Sequence, residues 1–160
     1  MRLDLPTGTV TFVFTDVEGS TSLLNELGAE AYADALADHR AVIREACIRS
    51  GGVEVDTQGD AFFFAFPTAP GALDAASGFT DHLDAKGQIR VRVGVHTGTP
   101  LRGEEGYVGH DVHRAARIAA AGHGGQVLVS AATAALIALE LTALGEHRFK
   151  DIGAPERVFQ

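Results

Sequence analysis

Apolar and polar residues alternate along the chain in segments that predict strands and helices in turn. Residues 9–15 and 61–66 are rich in β-branched and aromatic side chains and too apolar for edge positions, so both predict buried strands. Residues 90–96 alternate between polar and apolar side chains, a pattern that predicts a strand with one face in the core. Residues 53–55 precede a turn at Gly59 and are expected to pair with 61–66 as a hairpin.

Apolar residues also recur at helical spacing in four segments, which are 23–27, 29–50, 72–83 and 109–121. Strand, helix, hairpin, helix and strand therefore follow one another in the order β-α-β-β-α-β. This order is typical of an α+β fold with a ferredoxin-like core and an antiparallel sheet. Beyond that core the sequence predicts a strand at 126–129, a short helix capped by Ser130, and two short strands within 141–160.

The composition indicates a single domain that spans residues 1–160. With 160 residues, of which 46% are hydrophobic, the chain can bury one sizeable core, whereas a second core would lack room. The single cysteine, Cys47, cannot form an internal disulfide, and neither a signal segment nor an apolar stretch of membrane-spanning length is present. We therefore expect a cytoplasmic protein with no membrane partner. The formal net charge of −8 argues against nucleic acid as a partner, because such binding uses Lys and Arg to neutralise phosphates.

Two aspartates lie where an apolar strand meets a polar turn. Asp16 ends the first strand, and Asp60 opens the strand at 61–66. A carboxylate at the mouth of a buried strand is costly unless a cation or hydrogen bonds satisfy it, although either residue alone is more often a turn or capping residue. Paired hard oxygen ligands suit Mg²⁺ or Mn²⁺ ions that carry substrate phosphates. The Gly-containing turn after Asp16 leads into a helix, so its backbone amides are placed to face an anion.

Three other kinds of site fit the residues less well. A receiver-type phosphoacceptor also places an Asp at the end of a strand, but such domains need an alternating parallel βα pattern without a central hairpin. His110, His113 and Arg117 share one face of the helix at 109–121, yet no cysteine or Glu-rich segment completes a tetrahedral zinc site. Cys47 lies on an apolar helix face, and no Gly-x-Ser-x-Gly or Walker phosphate motif is present, so covalent catalysis is unsupported.

Five segments carry a resemblance to a known family, and they occur in order along the chain. They read VTFVFTDVEGST from Val10, GDAFFFAF from Gly59, RVRVGVHTG from Arg90, YVGHDVHRAARIAAAGHGGQVLVSAAT from Tyr107 and HRFKDIGAPERVF from His147. Together they resemble the class III nucleotide cyclase domain, and most of all its actinobacterial adenylate cyclase branch. The resemblance covers residues 9–160, and the matching spacing of several motifs makes it specific.

The resemblance implies a head-to-tail homodimer whose active sites are built across the interface from both subunits, with two Mg²⁺ or Mn²⁺ ions in each site. Asp16 and Asp60 match the two metal-binding aspartates, and Arg117 matches the transition-state arginine that the partner subunit supplies. Lys150, or in its place Arg148, falls near the C-terminal lysine that binds the triphosphate. The loop that holds the triphosphate corresponds to Val17, Glu18, Gly19, Ser20 and Thr21.

Three positions depart from the adenylate cyclase pattern. Asp56 stands where the family has the lysine that donates to adenine, Gly106 replaces its aspartate companion, and His113 replaces the asparagine that orients the ribose. A carboxylate repels the acceptor N1 of adenine but accepts hydrogen bonds from the N1–H and N2–H₂ groups of guanine. Asp56 with Gly106 is similar to the acidic-plus-glycine pairing of bacterial guanylate cyclases, which use the longer Glu.

The resemblance therefore implies metal-dependent cyclisation of a purine nucleoside triphosphate to the 3′,5′-cyclic nucleotide and pyrophosphate, with GTP mildly favoured over ATP. Asp56 and Gly106 are expected to bind the base. Arg117 and His113 are the expected catalytic residues. The three departures leave a second interpretation open, in which the domain is a weak or silent cyclase homologue that serves as a dimerisation or nucleotide-sensing module in signalling.

Overall fold

Residues 4–149 and 155–160 are described by the computed structural model, in which helices pack against a central sheet. The strands are β1 (Val10–Val17), β2 (Val53–Gln58), β3 (Ala61–Phe66), β4 (Val91–Gly98), β5 (Leu101–Arg102), β6 (Tyr107–Val108), β7 (Val127–Ser130), β8 (Ala143–His147) and β9 (Glu156–Phe159). The helices are α1 (Ser20–Leu27), α2 (Ala29–Arg49), α3 (Ala69–Lys86), α4 (His110–Ala121) and α5 (Ala131–Ala134). The candidate triphosphate ligand Lys150 lies outside the described residues.

Seven of the described strands form one sheet in the order β2-β3-β1-β4-β7-β9-β8, and β5 pairs with β6 separately. The first four strands of this order, β2-β3-β1-β4, are the predicted ferredoxin-like core with its hairpin of β2 and β3. The sheet is mostly antiparallel, as predicted, but β4 and β7 pair in parallel. The connection through α4 makes this possible, because a parallel pair needs a long crossover between its strands.

Alternation along β1 divides the sheet into two apolar faces. Val13 points into the larger core, which α2 and α3 cover. Phe12 points to the opposite face and packs with Phe63 of β3 and Ala115 of α4. Asp16 has the same parity as Phe12, so its side chain lies on the α4 side of the sheet.

Helix α4 lies directly against β4 because Gly94 has no side chain. A Cβ at this position would come within 2.4 Å of the backbone nitrogen of Ala119. Hydrogen bonds to a buried histidine fix the start of the helix, since His96 Nε2 contacts Asp111 Oδ1 at 2.8 Å and His96 Nδ1 contacts Ser130 Oγ at 2.7 Å. These contacts hold α4 in one position over the sheet and so determine where its outward-facing side chains lie.

The start of α1 differs from the sequence-based expectation. The spacing of apolar residues predicts a helix over 23–27, which begins at Leu23. In the structure the helix begins at Ser20, and its N-cap is Gly19 in the left-handed conformation, with φ 61°. Glycine adopts this conformation without the Cβ clash that other residues incur.

The hairpin of β5 and β6 is an element that the hydrophobic pattern does not predict. Leu101 pairs with Val108 and Arg102 with Tyr107 in this two-stranded sheet. The Tyr107 hydroxyl donates to the carbonyl oxygen of Pro6 at 2.6 Å and anchors the hairpin to the start of the chain.

The two predicted strands of the C-terminal segment are present as β8 and β9. Across residues 4–149 and 155–160, no helix combines the length and the apolar character that crossing a bilayer requires.

Candidate active site

Asp16 lies near the end of β1 and is held by Arg92, its direct neighbour on β4. The Arg92 guanidinium donates through Nε to Oδ1 at 2.6 Å and through Nη2 to Oδ2 at 2.7 Å, so both carboxylate oxygens are engaged. The side chains of Arg92 and Asp16 are 30% and 28% exposed, which shields the pair partly from solvent. A bidentate contact of this kind is the strong form of an arginine–carboxylate interaction.

The surroundings of Arg92 are acidic. Its hydrogen bonds to Asp16, together with the negative charges of Asp16, Glu18 and Asp60, raise the pKa of the guanidinium against the opposing effect of burial. Arg92 Nη1 also lies 3.4 Å from the carbonyl oxygen of Ala120 near the end of α4. The guanidinium therefore lies among carboxylates, of which, in the described part of the chain, only Asp16 contacts it directly.

Sequence reasoning does not identify Arg92, although one signal points to it. In the alternating segment 90–96, Arg92 has the parity of Gly94 and His96, whose side of β4 is covered by α4. An arginine on a covered face needs an acidic partner. The identity of that partner, Asp16, comes only from the register between β1 and β4.

Asp60 follows the turn between β2 and β3, where Gly59 has φ 59°. Its charge acts on groups of two other elements. Burial, and after it the charge of Asp60, raises the pKa of Tyr32 on α2, and the same carboxylate contributes to the raised pKa of Arg92 on β4. Because β1 and β3 are adjacent antiparallel strands, the end of β1 and the start of β3 lie at the same end of the sheet, and so do Asp16 and Asp60.

The two aspartates fit a divalent metal centre that substrate completes. Within the described part of the chain, no group of three or more His, Cys, Asp or Glu residues is arranged to hold a metal ion. Each carboxylate oxygen has two acceptor sites, so Asp16 can bind a cation while it still accepts from Arg92. Mg²⁺ is commonly bound by one or two carboxylates plus substrate phosphates, and Mn²⁺ favours the same hard oxygen donors. Asp16 and Asp60 supply such a donor set.

The loop between β1 and α1 offers backbone amides to an anion, but one of them is already engaged. The Glu18 N–H donates to the carbonyl oxygen of Arg90 at 3.0 Å. Val17 is buried and ties the start of the loop to the core. Gly19 caps α1 without a side-chain hydrogen bond, so the amides of the first helical turn keep an orientation that suits phosphate. That turn includes Ser20 and Thr21.

A cavity of about 590 Å³ opens beside the β2–β3 hairpin and contains both predicted base-binding positions, Asp56 and Gly106. A β-bulge between Glu54 and Asp56 allows the consecutive residues Val55 and Asp56 both to face the cavity. The lining also includes aromatic, amide and acidic side chains that sequence reasoning does not single out, namely Phe14, Phe63, Tyr107, Gln58, Glu104 and Glu105.

The Asp56 carboxylate is oriented by its neighbours on β2. The Thr57 backbone N–H donates to Oδ1 at 2.8 Å, and Gln58 Nε2 donates to Oδ2 at 3.0 Å. A Cβ at Gly106 would lie 3.4 Å from Val55 Cγ1, which places Gly106 directly beside β2. The structure thus brings Asp56 and Gly106, which are 50 residues apart in sequence, into one cavity.

Helix α4 carries the two predicted catalytic residues away from the sheet. Ala115 and Ala119 are buried against the sheet, whereas His113 is exposed and Arg117 is half-buried. Val112, the residue before His113, lines the cavity. The cavity and the outward side of α4 therefore belong to one continuous part of the molecule.

Comparison with known proteins gives consistent results for sequence and structure. A family model described as the adenylate and guanylate cyclase catalytic domain matches residues 4–158. An uncharacterized protein of Mycobacterium tuberculosis strain H37Rv is 39% identical over 163 residues, which cover 97% of this chain and 56% of that protein. The chain therefore spans about half the length of this relative. An adenylate cyclase of Podospora anserina is 35% identical over 78% of this chain and 7% of its own length.

Among solved structures, an adenylate cyclase of Trypanosoma brucei in its monomeric state has a TM-score of 0.84 and 28% identity. The match covers 96% of this chain and 89% of that one.

Proposed function

The chain belongs to the family of adenylate and guanylate cyclase catalytic domains, and we propose that it cyclises a purine nucleoside triphosphate, with GTP favoured over ATP. The observation that carries this proposal is the position of Asp16 and Asp60 at the same end of the adjacent strands β1 and β3, where the chain leads from Asp16 into the first turn of α1. Two carboxylates and the backbone amides of a helix N-terminus at one end of the sheet suit a triphosphate with its divalent ions.

We propose further that the working unit is a head-to-tail homodimer. One subunit supplies Asp16, Asp60 and the phosphate loop. The partner subunit supplies the cavity together with His113 and Arg117, because Val112 joins the cavity to α4 within a single chain. Each active site is then assembled from two different surfaces of the same protein.

The reaction forms a bond between the ribose 3′-oxygen and the α-phosphorus and breaks the bond to the bridging oxygen, so that pyrophosphate leaves with the electron pair. The bound ions, Mg²⁺ or Mn²⁺, supply the charge that acidifies the 3′-hydroxyl and neutralises the phosphate oxygens. Asp16 and Asp60 hold those ions, and the first turn of α1 donates to the phosphates. Arg117 donates to the charge that develops on the α-phosphate. The proton of the 3′-hydroxyl passes to solvent.

The direct test is incubation of the purified protein with each of the four nucleoside triphosphates and Mn²⁺, followed by chromatographic detection of cyclic nucleotide and pyrophosphate. We expect cyclic GMP to form fastest. A matched sample of Asp60→Ala separates this activity from a contaminating cyclase. Absence of cyclic product from all four triphosphates, with a folded dimer present, would reject the enzymatic proposal.

One observation favours a second candidate function. Arg92 donates hydrogen bonds to both oxygens of the Asp16 carboxylate, so a side chain of the protein itself compensates this negative charge. A catalytically silent dimerisation or nucleotide-sensing module would have this property. Its signature is dimer formation and nucleotide binding without cyclic product in the same four-nucleotide experiment.

A further inference from the structure

Asp56 and Gln58 lie two residues apart on β2, so their side chains emerge on the same side of the strand. Both line the 590 Å³ cavity. Gln58 Nε2 donates to Asp56 Oδ2 at 3.0 Å, and the Thr57 N–H donates to Oδ1 at 2.8 Å. The two side chains therefore form a fixed pair at the cavity wall. We propose that this pair reads the Watson–Crick edge of guanine, with Gln58 as a specificity-determining residue; the inference rests on the proposed function.

The orientation of the Gln58 amide follows from the chemistry of its partner. An ionised carboxylate only accepts hydrogen bonds, so the amide nitrogen, not the amide oxygen, must face Asp56. The nitrogen uses one proton for this contact and keeps its second proton for a ligand. Each oxygen of Asp56 uses one acceptor site and keeps another. The pair thus presents one donor beside two acceptors.

Guanine has the complementary arrangement. Its Watson–Crick edge presents the acceptor O6, the donor N1–H and the donor N2–H₂ in a row. Gln58 can donate to O6 while Asp56 accepts from N1–H and N2–H₂, which satisfies all three groups. Adenine offers only the donor N6–H₂ and the acceptor N1, so it makes two contacts with the same pair. Hypoxanthine lacks the N2 amino group and also makes two.

The rest of the cavity suits a purine with several donors. Phe14 and Phe63 stack with ring centroids 4.2 Å apart and form an aromatic wall, to which Tyr107 adds a third ring. Glu104 and Glu105 also line the cavity, so its potential is negative and disfavours ligand acceptors more than ligand donors. Guanine places two donor groups and one acceptor on the edge that faces Asp56 and Gln58.

The experiment measures binding of the α,β-methylene analogues of GTP, ITP and ATP, which cannot be cyclised, to the intact protein with Mn²⁺ by calorimetry. We expect the ITP analogue to bind roughly tenfold to a hundredfold more weakly than the GTP analogue, because one charge-assisted hydrogen bond is lost. The near-isosteric variant Gln58→Met should weaken GTP and ITP analogues by the same factor. Gln58→Glu should weaken the binding of both analogues further, since the new carboxylate faces the acceptor O6. The preference for the GTP analogue over the ATP analogue should then become smaller or reverse.

Gln88→Met is the matched control, because Gln88 is an exposed glutamine in the loop before β4, outside the cavity lining. Affinities of both Gln58 variants for the GTP and ITP analogues that stay within about twofold of those of the parent protein would overturn the inference. So would failure of all three analogues to bind. If the analogues bind in the expected order but GTP gives no cyclic product, the recognition inference stands and the proposed cyclase function fails.

Discussion

The guanidinium of Arg92 on β4 donates hydrogen bonds to both oxygens of the Asp16 carboxylate on β1. The distances are 2.6 Å from Nε to Oδ1 and 2.7 Å from Nη2 to Oδ2. The guanidinium therefore compensates the negative charge of Asp16. The negative charges of Asp60 and Glu18 also raise the pKa of this guanidinium. The positive charge of Arg92 therefore reduces the repulsion among the surrounding carboxylates. A metal ion at Asp16 must share the carboxylate with Arg92 or replace it.

Replacing Arg92 should separate its effect on stability from its effect on metal binding. Arg92→Ala leaves Asp16 without its partner, and we expect the free energy of unfolding to fall by about 1 to 2 kcal/mol, a value discounted for partial exposure. Affinity for Mn²⁺ in the absence of nucleotide should rise, because a competing cation is removed. Urea unfolding and Mn²⁺ titration by electron paramagnetic resonance measure the two effects. Arg90→Ala, which alters an exposed arginine on the same segment, is the control. Weaker Mn²⁺ binding in Arg92→Ala than in this control would contradict the competition.

The metal aspartates should behave as a pair. Asp16→Asn and Asp60→Asn each remove one negative ligand, and we expect either change to lower turnover at least about a hundredfold, since metal contacts supply several kcal/mol of transition-state stabilisation. Asp74→Asn, at an exposed position of α3, should leave turnover unchanged. Steady-state rates at saturating Mn²⁺ give the comparison. Near-parent turnover in either site variant would exclude that aspartate from the metal centre.

Mixing two inactive variants tests the shared active site. Asp16→Ala and Arg117→Ala damage opposite halves of the proposed site, so a heterodimer retains one intact site of two. With random exchange of subunits, an equal mixture should recover about a quarter of the parent activity. Asp16→Ala mixed with Asp60→Ala is the matched control, because both changes fall on the same half and no intact site forms. Recovery in the control mixture, or none in the test mixture when subunits demonstrably exchange, would refute the assignment.

Stability should decrease below neutral pH because two histidines are buried. Burial lowers the pKa of His39 and of His96 in the folded protein, although nearby hydrogen-bonding groups oppose the shift. The unfolded chain, with ordinary histidine pKa values near 6.5, then binds more protons as pH falls. The free energy of unfolding is thus fully present above about pH 6.5 and is lost as pH falls through the folded-state pKa values, by at most about 1.4 kcal/mol per pH unit for each histidine.

Urea unfolding at pH 7.5 and 5.5 measures this loss. His39→Leu should reduce the pH dependence, whereas His82→Leu, at an exposed position of α3, should not. An equal pH dependence in the two variants would show that His39 does not contribute.

The elements of the core could be read from local pattern. Alternation along 90–96 and helical spacing along 109–121 predicted β4 and α4, and the structure confirms both within a few residues. Cys47 was expected to pack in the core and is fully buried there. These successes share one cause, because the period with which apolar side chains recur depends only on neighbouring residues. The two candidate metal aspartates were predicted in the same way, from their positions at the ends of apolar runs, and their role in metal binding stays a prediction.

Which residues come together in the site, in contrast, depends on contacts between different secondary-structure elements. Arg92 joins Asp16 only because β1 and β4 pair in one register. A bulge in β2 turns Asp56 toward the cavity, and the unpredicted β5–β6 hairpin brings Gly106 to it from 50 residues away. Apolar periodicity states which face of a strand is buried but carries no information on which residue of another strand lies opposite. Register, bulges and helix docking depend on contacts between distant parts of the chain. The local sequence pattern therefore determined the secondary-structure elements and their order. Which residues contact each site residue was decided only by the tertiary structure, because those contacts join different elements.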